Sequence, residues 1–303
     1  MPLLRATAEL LSEEDREAGV IEELIDRDDL FAVLPFKKIN GKAYSYTRED
    51  TIDRPQWISP VTDTVPEGAA TFTDEIARLH VLAGDVDVDK FLDGTMSDLN
   101  SQWGQQMGAK IKGIAQEFRE TTILGDNGAN NKQPDGLPQM IPAAMTITGP
   151  GANGDVINLA LMDELEDMVL NGVDAFMMNR KMLRSFKEMV RQAAGGNMSD
   201  MLMLENFGRP VMTHNGLPII VNDYIPDDEV KGTATNCTSI YALRLNEVDG
   251  FHGIYGGPGA GGIVVEDIGT VQNKDATRTR VKWYVGFALK STKSCARLTG
   301  ILV

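Results

Sequence analysis

SDLNSQWGQQMGAKIKGIAQEFRETT, residues Ser97–Thr122, and TRTRVKWYVGFALK, residues Thr277–Lys290, decide how the rest of the chain is read. In the first, Leu99, Trp103, Met107, Ile111, Ile114 and Phe118 recur every three or four residues, as does Met96 just before it. That spacing predicts a helix with one apolar face. In the second, Thr279, Val281, Trp283, Val285, Phe287 and Leu289 alternate with Arg278, Arg280, Lys282, Tyr284 and Lys290. This is the period of a half-buried strand. At 1.5 Å per residue the helix would run ~39 Å, and at about 3.3 Å per residue the strand would run ~43 Å. Two elements of that length, far apart in the chain, predict an elongated subunit.

Outward from them the pattern is mixed. Ser12–Asp29 is acidic and has room for a short helix, with Val20, Ile21, Leu24 and Ile25 as a narrow apolar stripe that must dock on something else. Asn40-Gly41 signals a hairpin turn, Lys42–Arg48 alternates like an exposed strand, and Thr71–Ala83 resumes an extended pattern. Such a polar hairpin buries little by itself and is expected to reach a neighbour. Thr95 with Asp98 resembles a capping box for the long helix, and Gly125 its stop. Gly104, Gly108 and Gly113 inside it suggest a bend or close approach by another backbone.

Asp155–Leu170 reads as a helix, Val173–Met178 as a buried strand, and a second helix follows Asn179 as its cap, ending at Gly195-Gly196. Pro210–Met212, Leu217–Val221, Ser239–Leu243 and Ile263–Val265 read as strands. The fold class is α+β, without internal repeats.

The 303 residues carry 29 Lys and Arg against 44 Asp and Glu, a formal net charge of −15. That balance disfavours nucleic acid and anionic membranes as surface partners, and the sequence shows no basic stripe large enough to reverse it. No apolar run reaches the length of a membrane span, and the first residues lack the apolar middle of a secretory signal. A cytoplasmic origin is expected. Cys237 and Cys295 lack zinc or CxxC spacing and read as buried or free thiols.

Chemistry is sparse. His80, His214 and His252 stand in unrelated contexts, and His214, in Thr213–Gly216, reads as a turn residue. Gly257, Gly259 and Gly262 satisfy GxGxxG, but the β-branched Ile263-Val-Val265 follows where a dinucleotide site requires a helix. A nucleotide-dependent enzyme built on Gly256–Gly262 is therefore disfavoured against a plain loop. Asp85, Asp87 and Asp89 lie on one side of an extended segment but lack the glycine and distal glutamate of a calcium loop. They read as solvated charge, as do the acidic clusters Glu13–Asp15, Asp26–Asp29 and Asp227–Glu229. The methionines of the middle segment read as core filling. No catalytic, cofactor-binding or metal-binding residue is assigned.

The order of acidic arm, projecting hairpin, long helix, compact middle and final long strand resembles the major capsid protein of tailed bacteriophages, the Hong Kong 97-type fold. Leu82–Phe91 leading into Ser97–Glu120 is similar to that family's spine helix. Thr122–Asn127 is similar to its post-spine segment. Gly208–Val211 with Gly216–Ile219 resembles its axial strand pair, and Arg278–Leu289 with Cys295–Thr299 its closing strands.

The resemblance implies an N-terminal arm at 1–35, an extended loop at 36–79 and a discontinuous peripheral domain at 80–136 and 263–303. The axial domain would be 137–262. It also implies a structural, non-enzymatic protein assembled in a bacterial cytoplasm into the icosahedral head of a tailed phage. That head would enclose double-stranded DNA without sequence-specific binding. Expected partners are further copies in hexamers and pentamers, with a separate scaffolding protein or none, and with portal and decoration proteins. Leu24, Ile25, Tyr44, Tyr46 and Trp57 would become buried on assembly. Lys37, Lys38 and Lys42 lie near the loop, where some relatives form covalent crosslinks, but no matching Asn or acidic catalyst is assignable and solvated lysines are expected. The alternative within the same fold is an encapsulin-like nanocompartment that packages an enzyme.

Overall fold

The computed structural model describes residues 29–59, 64–65, 67–96, 102–193, 201–203, 210–258 and 260–303. The readings made for 1–28, including the Ser12–Asp29 helix up to its last residue, lie outside the described residues, as does Gly259.

In chain order the elements are α1 (Asp29–Val33), β1 (Phe36–Lys38), β2 (Ala43–Thr51), β3 (Thr71–Arg78), β4 (His80–Asp89), α2 (Lys90–Met96) and α3 (Gln102–Leu124). Then come α4 (Leu137–Met140), β5 (Thr146–Thr148), α5 (Leu159–Asp167), β6 (Ala175–Met178) and α6 (Arg180–Ala193). Strands β7 (Met201–Met203), β8 (Pro210–His214), β9 (Leu217–Val221), β10 (Glu229–Lys231) and β11 (Ala234–Leu243) follow. The chain closes with β12 (Phe251–Gly256), β13 (Ile263–Thr270), β14 (Ala276–Leu289) and β15 (Cys295–Leu302).

Among the described residues the strands form three sheets. The first runs β1-β12-β14-β13, with β4 on the other edge of β14. The second runs β5-β15-β11-β6-β9-β8-β7, with β10 on β11, and the third is the β2–β3 hairpin. Val281, Trp283, Val285, Phe287 and Leu289 of β14 are buried, while Arg278, Arg280, Lys282 and Tyr284 are half-buried, so the predicted alternation holds up to Val285. From Gly286 onward both faces are covered, because the root of the β2–β3 hairpin packs Ala77, Tyr44 and Tyr46 into one cluster with Ala288.

Helix α3 lies across the first sheet. Phe118 is its anchor: its ring stands 4.8 Å from Trp283, 4.9 Å from Phe287, 5.0 Å from Phe31 and 5.8 Å from Phe36, centroid to centroid. One aromatic cluster thus ties α1, β1, α3 and β14 together. The buried core is continuous from this cluster to the second sheet, where all four residues of β6 are buried.

Several sequence expectations need correction. Residues 97–101 of the long helix reading lie outside the described residues, and the described part begins at Gln102; Thr95 belongs to α2, where its hydroxyl donates to the Phe91 carbonyl (2.6 Å). Trp103 and Ile111 are 43% and 42% exposed, whereas Gln102, Arg119 and Thr122 are buried. The apolar face is therefore narrower at the helix N-terminal half. Gly108 and Gly113 face open space rather than a backbone of the same chain.

Asn40-Gly41 does not join a hairpin. It passes the chain from β1, which pairs in parallel with β12, to β2. The tight Asn-Gly turn is instead Asn215-Gly216, where φ values of 49° and 82° connect β8 to β9 as the short-hairpin geometry requires. The helix read at Asp155–Leu170 spans only Leu159–Asp167, because Asn158 caps it by accepting from the Leu161 amide (2.8 Å). β12, which the sequence boundaries put with the middle segment, belongs to the first sheet, and β15, put with the closing strand, belongs to the second. Their hydrogen-bond partners decide this: β12 pairs with β14, and β15 with β11.

Candidate assembly surfaces

Three surfaces stand out: the hairpin and its root, the charged outer face of the first sheet, and one face of α6.

Strands β2 and β3 pair in register from Ala43↔Arg78 to Glu49↔Phe72, with an irregularity between Glu49 and Thr51. The pair buries almost nothing on its own: Phe72 and Ile76 are 63% and 56% exposed. Toward its tip Ile52 and Val65 are exposed, and Trp57 is fully so. The root, by contrast, is fastened. The Leu289 carbonyl accepts from the Tyr46 hydroxyl (2.8 Å) and from Arg48 Nη2 (3.1 Å), and the Lys290 carbonyl accepts from Arg48 Nε (2.9 Å). Lys37 Nζ donates to the Tyr44 hydroxyl (3.0 Å), and Lys290 lies over the same ring. Tyr44 and Tyr46 are thus docked within their own chain, which corrects the expectation that they wait for a neighbour. Lys37 is likewise engaged rather than solvated, while Lys38 and Lys42 are exposed. Trp57 retains the predicted exposure. Arg48, the clamp of the root, carries no sequence signal beyond its place in an alternating strand.

The outer face of β14 and β4 carries an ion-pair ladder. Arg278 binds Asp87 through both ends of its guanidinium (2.6 Å each), and Arg280 binds Asp85 (2.5 and 2.8 Å). The strand register places each pair directly opposite. These hydrogen-bonded guanidinium groups hold both carboxyls below their usual value of 3.8. Asp89 caps α2 by accepting from the Phe91 amide (2.9 Å). The aspartates read as solvated charge are therefore structural. So is Glu229, which accepts from Arg297 (2.9 Å), Ser239 (2.8 Å) and Thr299 (3.0 Å), while Asp227 pairs with Lys181.

The chain crosses between the two large sheets three times, once through α2–α4 and twice through short segments at residues 244–250 and 290–294. Arg244 Nε donates to both carboxylate oxygens of Asp249 (3.0 and 3.1 Å), the Asn246 side chain accepts from three successive amides, and the Ser294 hydroxyl donates to the Asp249 carbonyl (2.7 Å). No motif announces this joint in the sequence.

The histidines stay apart. His80 is half-buried beside β3. His252 is fully buried, with Nδ1 3.2 Å from the Gly250 carbonyl, and burial lowers both pKa values. His214 is not a turn residue: it ends β8, 4% exposed, with Nε2 3.0 Å from Asp163 Oδ1. Asp163, Glu166 and His214 each bring a potential ligand atom within 4.8 Å of the others. The Asn215 amide fills that space, donating to Glu166 (2.9 Å) and Asp163 (3.3 Å). Cys237 and Cys295 are free and buried, and burial pushes the Cys295 thiol up to about 12. Gly256–Gly262 is a loop closed by Trp283 Nε1 on the Gly261 carbonyl (2.8 Å), and a strand follows it.

On α6 the buried face is Met182 and Phe186, and the opposite face presents Arg180, Arg184, Lys187 and Arg191. The sequence reading missed this stripe, since it lies hidden in an acidic composition and emerges only at helical spacing. An apolar groove of about 530 Å³ opens between α1, α3 and β14, lined by Phe31, Ile111, Ile114, Ile263 and Trp283 among others. Among the described residues no helix is long and apolar enough to cross a membrane.

Comparison with known proteins agrees with this architecture. Among solved structures, the chain superposes on the SrpI encapsulin of Synechococcus elongatus PCC 7942 with a TM-score of 0.75 at 17% identity, covering 100% of this chain and 97% of that one. It superposes on the capsid of an empty GTA particle with a TM-score of 0.71 at 14% identity, covering 98% of each chain. The protein from Microbacterium phage Oxtober96 gives 0.66 at 16% identity, again with 98% of each chain covered. No curated protein matches the sequence. The model of the phage capsid family matches residues 9–246. With that match over most of its length and the Hong Kong 97-like fold throughout, the chain belongs to the phage capsid family of shell-forming proteins.

Proposed function

We propose that this protein tiles the icosahedral head of a tailed phage, a closed shell around double-stranded DNA assembled in the host cytoplasm. The observation that carries the reading is the hairpin. Its root is clamped to the end of β14, while its tip holds a fully exposed Trp57 that none of the described residues covers. An apolar tip on a polar arm gains its burial energy only from a neighbour, at roughly 25 cal/mol per Å² before ordering costs. Repeated around a ring, such a heterologous contact closes hexamers and pentamers.

In this reading residues 36–79 form the extended loop, the first sheet with α3 the peripheral domain, and the second sheet with α5 and α6 the axial domain. Separate scaffolding, portal and decoration proteins complete the head. The test is the content of purified native particles: nuclease-protected DNA of phage length supports the reading, and particles empty of DNA refute it.

A second reading has two observations in its favour. The SrpI neighbour is an encapsulin, and the apolar groove beside α1 offers a seat for a short apolar segment. A shell holding a stoichiometric enzyme instead of DNA would establish it.

A further inference from the structure

Helix α6, RKMLRSFKEMVRQA, carries five Lys and Arg against one Glu in a chain whose net charge is −15. Arg180, Arg184, Lys187 and Arg191 follow one another at spacings of four, three and four, so they form a single line ~16 Å long on the side away from buried Met182 and Phe186. Fold stability does not account for the placement. The N-terminal turn of a helix favours anions, yet Arg180 and Lys181 stand there and need Asp223 and Asp227 to offset them. Farther along, Arg184 and Lys187 have no acidic partner among the described residues. Arg180, Arg184 and Arg191 are exposed and Lys187 is half-buried.

We propose that this line of cations lies against the phosphate backbone of enclosed double-stranded DNA. The inference rests on the reading of the chain as a DNA-enclosing shell. Two features favour phosphates over an acidic surface of another copy. The stripe has no aromatic or apolar side chain interspersed that would read bases or pack on a protein. Its few charges give a weak, sequence-neutral contact per subunit, summed over many copies. Such a contact lines up DNA without gripping it.

The test uses unassembled full-length subunits and a short duplex of random sequence, with binding followed by fluorescence anisotropy at 50 and 200 mM salt. The variant is Arg184→Gln with Lys187→Gln, and the charge-matched control is Lys274→Gln with Lys293→Gln, both exposed loop residues. Removing two phosphate contacts lowers the salt slope by about 2, so the wild type's advantage over the variant shrinks roughly tenfold between the two salt concentrations. The control keeps the wild-type slope.

Equal slopes for variant and wild type overturn the proposal, as does a variant that binds duplex normally but fails to associate with other copies, which assigns the stripe to a protein contact. If native particles hold DNA and the variant slope is unchanged, only this inference fails. If native particles hold none, the reading beneath it fails.

Discussion

Replacing Phe118 by Ala tests whether one aromatic cluster holds the long helix on the sheet. The side chain is 2% exposed and has four aromatic rings within 6 Å, contributed by α1, β1 and β14. Losing its transfer free energy costs ~3 kcal/mol, and the cavity left among rigid rings raises this into the range of about 3–5 kcal/mol. Ring–ring terms of about 0.5–1.5 kcal/mol each overlap with that figure and push toward its upper end. We expect ~4 kcal/mol, which for a chain of this length lowers Tm by roughly 8 °C. Phe118→Leu keeps most of the volume and should cost about half as much. Urea unfolding of the unassembled subunit, with both variants compared at equal m-value, is the assay. A loss below ~1.5 kcal/mol for the alanine variant would refute the hub, because no well-packed phenylalanine with four ring partners is so dispensable.

Trp57→Ala should leave subunit stability within about 0.5 kcal/mol, since its side chain is fully exposed, yet reduce shell yield in a light-scattering assembly assay. Unchanged assembly would remove the hairpin tip from the interface. His252, neutral because buried, gains a proton on unfolding, so subunit stability should fall as pH drops below its ordinary 6.5, by up to about 1.4 kcal/mol per unit until the lowered folded-state pKa is passed. His252→Gln should flatten part of that slope in denaturation curves at pH 5 to 7, half-buried His80 supplying the rest; an unaltered slope would contradict the assignment. The Cys295 thiol, pushed up to about 12, should resist alkylation in the native subunit and react after unfolding, as mass spectrometry would read. Rapid native labelling at Cys295 would show that the second sheet opens.

Much of this fold is legible in the sequence because its longest elements obey a single period. β14 alternates over the eight residues from Arg278 to Val285, since helix α3 covers one face and the Asp–Arg ladder lines the other. Asn179 announces α6 because its side chain must cap the Met182 amide, at 2.7 Å. Features that depend on what lies opposite stay hidden. Asp85 and Asp87 look solvated until the β4–β14 register supplies Arg280 and Arg278. Tyr46 and Arg48 look like surface residues until the carbonyls of Leu289 and Lys290 meet them, some 240 residues away in the chain. Asn40-Gly41 and Asn215-Gly216 share a dipeptide, and only strand pairing shows which one closes a hairpin. The basic face of α6 is masked by composition, because a net charge of −15 says nothing about where the cations gather.

The central claim is that copies of this chain close into a shell through the hairpin and the two large sheets. Electron microscopy of the purified protein under assembly conditions tests it most directly. The account predicts closed icosahedral particles of uniform size. A monodisperse 33 kDa monomer under every assembly condition, with or without added scaffold, would contradict it.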